Sequence, residues 1–199
     1  MDITWHGNSC FTLKGKDASI VTDPFEFGAK LPKLKANIVT LSTERDPVLV
    51  EGDPKILDWP GEFESANTPI ESLASEGENK IFLLMMDGVK ICHLGFLSHE
   101  LSDEILDQIG DVDVLLLPIG GGSVLDGKTA QKVVEAIEPR VVIPMLFSAT
   151  ESTLELSGPE EFLRSVGKSE LTPREKYSVG GRSALPEGVM EFVLLEPKL

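Results

Sequence analysis

The sequence predicts an α/β fold that is antiparallel β in its first half and β-α-β in its second. Three observations carry this prediction. Short segments of alternating apolar and polar residues, punctuated by turn residues, occupy the first half. Continuous apolar runs alternate with stretches of helical periodicity in the second. No repeat, low-complexity tract or linker interrupts the chain, so one domain spanning residues 1–199 is expected.

Each element has its own local reason. Asp2–Trp5, Ser9–Lys14 and Ala18–Thr22 read as strands because Gly7-Asn8 and Gly15-Lys16-Asp17 between them supply turn chemistry. Asn37–Ser42 is another apolar run, followed by a polar stretch and then by Lys55–Trp59. Pro60-Gly61-Glu62 reads as a turn. Thr68–Ser75, Lys80–Met86 and Val89–His93 form a second β-rich block in which Asp87-Gly88 is a two-residue hairpin turn. Helical spacing appears at Ser102–Ile109, with Ser102 as N-cap and Asp103 and Glu104 facing the positive end of the helix dipole. It returns at Thr129–Ile137 and Pro159–Val166. The strand-like runs Val112–Pro118 and Val141–Met145 lie between these helices, and Met190–Leu195 closes the chain.

Composition excludes several functions. With 33 acidic and 18 basic residues the net charge is −15, and no local basic cluster stands out. Such a surface repels phosphate backbones and anionic lipid, so neither nucleic acid nor a membrane is expected as a partner. No apolar run approaches the roughly 20 residues a bilayer span requires. The opening residues lack the basic segment and apolar core of a secretion signal. Cys10 and Cys92 sit in apolar contexts without metal-ligand spacing, which predicts buried core thiols and a cytoplasmic protein.

One motif points elsewhere. Gly122, Gly127, Lys128 and Thr129 satisfy the spacing of a phosphate-cradling loop, placed between an apolar run and a helix. A nucleotide site of that kind also needs an acidic residue ending a neighbouring strand to hold Mg²⁺, and Val141–Met145 supplies none. The motif is therefore read as a decoy.

Several segments in order carry a family resemblance: ITWHGNSCF, SIVTDPF, NIVTLS, WPGEFE, ICHLG, VDVLLLPIGG and PRVVIPML. Together they resemble the metallo-β-lactamase superfamily from Asp2 to about Leu195, and in particular its small metal-dependent hydrolases similar to ascorbate-6-phosphate lactonase. The resemblance implies a four-layer αβ/βα sandwich, with two facing sheets, helices outside and a metal cleft at one edge. In this branch a glycine-rich turn after a strand ending in Pro-hydrophobic-Gly-Gly leads into a helix. That accounts for residues 118–129 without a nucleotide.

The resemblance also implies where metal ligands belong. The family places His-x-His-x-Asp-His after a strand, then a later His, Asp and final His, which together lower the pKa of a metal-bound water. Here Thr43 and Arg45 stand at the first two histidine positions, Pro47 at the aspartate and Val48 at the third histidine. His93 keeps the later histidine, whereas Phe96 replaces the aspartate, Leu146 the final histidine and Asn8 an N-terminal histidine. Arg45 is the least compatible, because a guanidinium stays charged where a cation would sit. His6 and His99 read as satisfied polar residues, and Asp23, before Pro24, reads as capping a turn.

The expected protein is a hydrolase homologue without a metal centre that binds an unknown small molecule or protein partner. No cofactor is expected, and zinc or another divalent metal enters only under the alternative. That alternative is an active lactone or phosphoester hydrolase with a rearranged site, using His93 and carboxylates drawn from Asp23, Glu44, Asp46 and Asp58. Phe96 and Leu146 are expected to fill the old site near His93, with Asn8 and Arg45 at its rim.

Overall fold

The computed structural model describes residues 1–75 and 77–199. Thirteen strands and three α-helices follow in the order β1 (Asp2–Trp5), β2 (Phe11–Lys14), β3 (Ser19–Thr22), β4 (Ile38–Thr40), β5 (Lys55–Leu57), β6 (Gly61–Ser65), β7 (Thr68–Ala74), β8 (Lys80–Met86), β9 (Val89–His93), α1 (Asp103–Ile109), β10 (Val114–Pro118), α2 (Gly127–Ile137), β11 (Val141–Met145), α3 (Glu160–Ser165), β12 (Tyr177–Ser178) and β13 (Glu191–Phe192) among the described residues. They build two sheets, ordered β12-β1-β2-β3-β4-β5 and β13-β11-β10-β9-β8-β7-β6.

The pairing follows connection length. Short turns join β1, β2 and β3 into antiparallel hairpins, and β6 to β9 into an antiparallel meander. Longer crossovers make β3, β4 and β5 parallel to one another, as they do β9, β10 and β11. β10 and β11 are buried along their whole length, which is why both read as unbroken apolar runs.

The main core lies between the sheets and under the helices. It joins Ile3, Trp5, Phe11, Ile20 and Ile38 of the first sheet to Phe82, Ile91, Leu116 and Ile143 of the second, with Val133, Val134 and Phe162 of α2 and α3. α2 earns its place through buried Ala130, Val133, Val134 and Ile137 at helical spacing. Period-two alternation sends Val21 and Val39, next to Ile20 and Ile38, to the opposite face of the first sheet. There they meet a second cluster holding Cys10, Phe25, Phe27, Leu34 and Val50. Apart from Cys10 and the two strand valines, its members come from the coil segments between β3 and β5. The layer over that face is thus coil, where helices were expected on both outer faces.

Other differences are local. Gly61–Ser65 is a strand where a turn was expected, because the turn falls at Ala66-Asn67, both at positive φ. β12 was not foreseen: two residues pair with β1 too briefly to leave a periodic pattern. α2 starts at Gly127, two positions before Thr129, because Asp126 caps it. Both cysteines are buried free thiols, and burial pushes Cys92 up to about 12. No helix among the described residues is long and apolar enough to cross a membrane.

Candidate functional site

Chain segments leaving the carboxyl ends of parallel strands gather at one end of the sandwich, the usual place for a site in an α/β fold. Asp23 follows β3, Ser42 and Thr43 follow β4, His93 ends β9 and Leu146 follows β11. The turn between β1 and β2 brings Asn8 and Ser9 to the same place.

His93 lies at its centre and is fully buried. Its ring meets Phe11 edge-on at 6.3 Å. Nε2 lies 3.1 Å from the Ser9 carbonyl, which can only accept, so Nε2 carries the proton and Nδ1 is left as an acceptor. Nδ1 has no hydrogen-bond partner among the described residues. Burial holds the His93 pKa below its usual value, and the nearby Asp23 carboxylate opposes that shift.

Asp23 is also buried, with φ of +40°. Its carboxylate accepts from the Ser42 amide at 2.7 Å and the Ser42 hydroxyl at 2.5 Å, pinning the start of the 43–48 loop to the end of β3. Burial raises its pKa, and His93 and Ser42 pull it back. Thr43 Oγ1 and Thr40 Oγ1 are buried without partners among the described residues.

The remaining positions are tied into the same region. The Asn8 carbonyl accepts from Trp5 Nε1 at 2.9 Å and from the Leu146 amide at 3.1 Å. Asn8 is 8% exposed, so it lies beneath the surface and not at the rim. Its side chain accepts from the Ser152 hydroxyl at 3.3 Å. Leu146 is fully buried and held at φ of +51°, a region leucine rarely adopts. Arg45 is exposed, its guanidinium 4.9 Å from the Phe27 ring, which in turn packs 5.8 Å from Phe96. Phe96 is half-buried, less than expected, because it bridges the edges of the two apolar clusters. Pro47 and Val48 are half-buried, and the Val48 amide donates to the Pro24 carbonyl at 2.8 Å. Beside Thr43 and Arg45 lies a cleft of about 350 Å³, lined also by Leu41, Glu44, Asp46 and Asp58.

Sequence reasoning missed three supporting residues: Ser9, Ser42 and Asn79. Asn79 accepts from the Phe96 amide at 2.7 Å and donates to the Leu94 carbonyl at 3.0 Å, fixing the turn after β9. Gly95 there has φ of +60°, and a Cβ would come within 2.4 Å of Asn79 Oδ1. A Gly two residues after a strand-ending histidine was the only available signal.

His6 lies apart from this site, with Nδ1 2.8 Å from the Lys198 carbonyl and Nε2 2.8 Å from the Thr12 hydroxyl. His99 Nδ1 lies 2.9 Å from the Glu100 carbonyl. The phosphate-loop spacing also lies apart. Asp126 Oδ1 accepts from the Thr129 amide at 2.7 Å, so a carboxylate of the chain already sits at the N-terminus of α2. A Cβ at Gly122 would lie 2.7 Å from the Glu155 carbonyl oxygen, and one at Gly127 would lie 2.6 Å from the Phe162 amide. Both glycines permit close backbone packing, and Lys128 is exposed.

Residues 2–146 match the family model of the β-lactamase superfamily domain. The chain belongs to the metallo-β-lactamase superfamily. A UPF0173 metal-dependent hydrolase of Thermococcus onnurineus is 32% identical over 162 residues, covering 81% of this chain and 69% of that protein. A UPF0173 protein of Pyrococcus furiosus is 25% identical over 216 residues, covering 90% of this chain and 100% of its own. Among solved structures, a Thermotoga maritima protein assigned to the zinc-dependent hydrolases of the superfamily superposes with a TM-score of 0.87 at 30% identity, covering 98% of this chain and 99% of that one. The metallo hydrolase Igni18 of Ignicoccus hospitalis, at 17% identity and a TM-score of 0.71, covers 98% of this chain and 95% of its own and shares the fold. The mixed α/β architecture with two sheets is therefore that of the metallo-β-lactamase superfamily, whose relatives include metal-dependent hydrolases.

Proposed function

We propose that this superfamily member has lost the metal centre and serves as a non-catalytic protein that binds a small ligand or a partner. The observation that carries the proposal is the donor set. The described residues contain no group of three or more His, Cys, Asp or Glu side chains placed to hold a metal. A divalent transition metal needs about four such donors, or three plus a water.

Where the family pattern puts imidazoles and carboxylates, this chain offers a hydroxyl at Thr43, an exposed guanidinium at Arg45, and carbon at Pro47, Val48, Phe96 and Leu146. His93 spends one nitrogen on Ser9, and Asp23 spends its carboxylate on Ser42. Buried Leu146 fills volume that a ligand would otherwise occupy. These residues do not fit a resident transition metal, and no hydrolytic step is derived through one.

One observation favours the alternative, an active hydrolase with a rearranged site. Among the described residues His93 Nδ1 has no hydrogen-bond partner, the Asp23 carboxylate acts on the His93 ring, and relatives of this chain are named as metal-dependent hydrolases. Metal content of untagged protein purified without chelator separates the two readings. Loss of the centre predicts well under one zinc, iron or manganese per chain and a melting temperature unmoved by added Zn²⁺, since binding to the native state would raise it. Near-stoichiometric metal would establish the alternative.

A further inference from the structure

We propose that the outer face of the first sheet carries a binding groove for a small molecule bearing an oligophosphate group. The groove has a volume of about 620 Å³ and lies against β1, β2, β3, the 32–37 segment and Lys198. Lys14, Lys33, Lys35 and Lys198 line it, and the hydroxyl residues Thr4 and Ser19 lie between them. It shares no residue with the cleft beside Thr43 and Arg45 and does not include His93, so the inference stands whichever reading of the candidate site is correct.

Charge segregation is the main argument. The chain has 33 acidic and 18 basic residues, so a random patch is negative. Yet this groove holds four lysines and is lined by no acidic side chain; the neighbouring Glu51 and Asp53 flank Gly52 without lining it. Elsewhere among the described residues two lysines are in ion pairs, Lys132 with Glu100 and Lys176 with Asp2. Among the described residues none of the four groove lysines is in an ion pair. Four lysines lining one groove in a protein with a surplus of carboxylates leave a local positive field that an anion would neutralise, offset in part at Lys198 by Glu175 and Glu196 of the adjoining pocket.

The architecture sets the rest. Lys33 and Lys35 come from one segment, and only folding brings Lys14 and Lys198 to the same groove. His6 helps to place them: its ring bonds the Thr12 hydroxyl and the Lys198 carbonyl, and the Lys198 amide donates to Trp5, so the end of the chain is fixed across the sheet. The groove volume is in the range of small-molecule sites, roughly 300–1,000 Å³, and too short for a polymer tract. A single phosphate would leave half the positive charge unmatched, whereas a di- or triphosphate balances it. Lysine ammonium groups with hydroxyl donors between them suit phosphate oxygens as point-charge partners.

The test is titration calorimetry of the intact chain with inorganic tripolyphosphate and, separately, with ATP, at low and at raised salt. Binding that weakens as salt rises, and that drops at least tenfold in Lys33→Gln/Lys35→Gln, supports the groove. Equal affinity for the two probes would assign the oligophosphate alone as the recognised group, and tighter ATP binding would assign a nucleotide. The control Lys128→Gln/Lys132→Gln removes the same charge outside the groove and leaves binding unchanged. No binding of either probe, equal loss in both double variants, or capture only by vesicles containing phosphatidylglycerol would overturn the proposal.

Discussion

Leu146→His tests whether the position at which the family pattern puts its final histidine is closed core in this protein. Leu146 is fully buried, so the substitution forfeits about 2 kcal/mol of apolar burial. It also buries an imidazole whose nitrogens find no assigned partner, at a further cost of about 1–3 kcal/mol. Backbone strain changes little, because histidine tolerates the positive φ that residue 146 adopts somewhat better than leucine does. The sum is a loss of roughly 3–5 kcal/mol, a large share of the roughly 5–15 kcal/mol that holds a domain together. Urea unfolding of both proteins at neutral pH, with and without Zn²⁺, measures it. A loss below about 1 kcal/mol would show that the pocket accepts a polar ligand. Recovery of stability on adding Zn²⁺ would show that His93 and Asp23 still form part of a latent site. Either result refutes the reasoning.

Three further outcomes follow from other parts of the molecule. Asp126→Ala removes the cap of α2 and should cost about 1 kcal/mol in urea unfolding, whereas exposed Lys128→Ala should stay within about 0.5 kcal/mol of the parent. Burial lowers the pKa of both His6 and His93, so below about pH 6.5 the unfolded chain takes up protons that the native state refuses. Their contribution to stability is complete above that pH and is lost as pH falls toward the folded values, by at most about 1.4 kcal/mol per pH unit for each histidine. Asp23, whose pKa is raised, works in the opposite sense: between the ordinary carboxylate range and its raised value, stability falls as pH rises. Unfolding free energies at pH 7.5 and 5.5 should therefore show a loss that His6→Gln reduces. Cys10 and Cys92 are fully buried with pKa values driven up, so a thiol reagent should label neither in native protein and both in urea; rapid native labelling would contradict the burial.

The fold was legible where local and tertiary signals agreed. β10 and β11 read as buried strands because a parallel strand covered on both faces needs apolar residues at every position. The start of α1 read correctly because Ser102 bonds the Ile105 amide and two acids follow it. Illegible were the elements whose cause is distant. β12 exists because the chain near Tyr177 returns to the edge of β1, with Val179 bonding Met1 across nearly the whole length of the sequence. The coil layer over Val21 and Val39 has no period, since its buried Phe25, Phe27 and Leu34 are placed by irregular backbone.

The candidate site divides in the same way. Alignment with the family pattern identified positions, and the structure ties them together through Ser9–His93, Asn8–Leu146 and Arg45–Phe27–Phe96. What the pattern could not convey is how the polar groups at these positions are hydrogen-bonded. Asp23 reads from sequence as a turn residue or, under the alternative, as a candidate metal carboxylate, yet its carboxylate is a buried brace that satisfies Ser42 twice. Buried carboxylates persist only where hydrogen bonds or charges offset their desolvation, and His93 and Ser42 offset part of it here, leaving the Asp23 pKa raised. Asn8, Asp23 and Leu146 all retain positive φ, a backbone cost of the kind that accumulates where chain geometry is dictated by a site and not by the residue occupying it. Leucine gains nothing from that conformation, so the surrounding fold, and not the side chain, sets the loop shape at residue 146. Leu146→Gly tests this last step: it removes about 2–5 kcal/mol of packing while relieving roughly 1 kcal/mol of left-handed strain. Its loss in urea unfolding should accordingly fall short of the loss in Leu116→Gly, at a fully buried strand position with no positive φ to relieve. Equal losses at the two sites would mean that no strain is stored at residue 146.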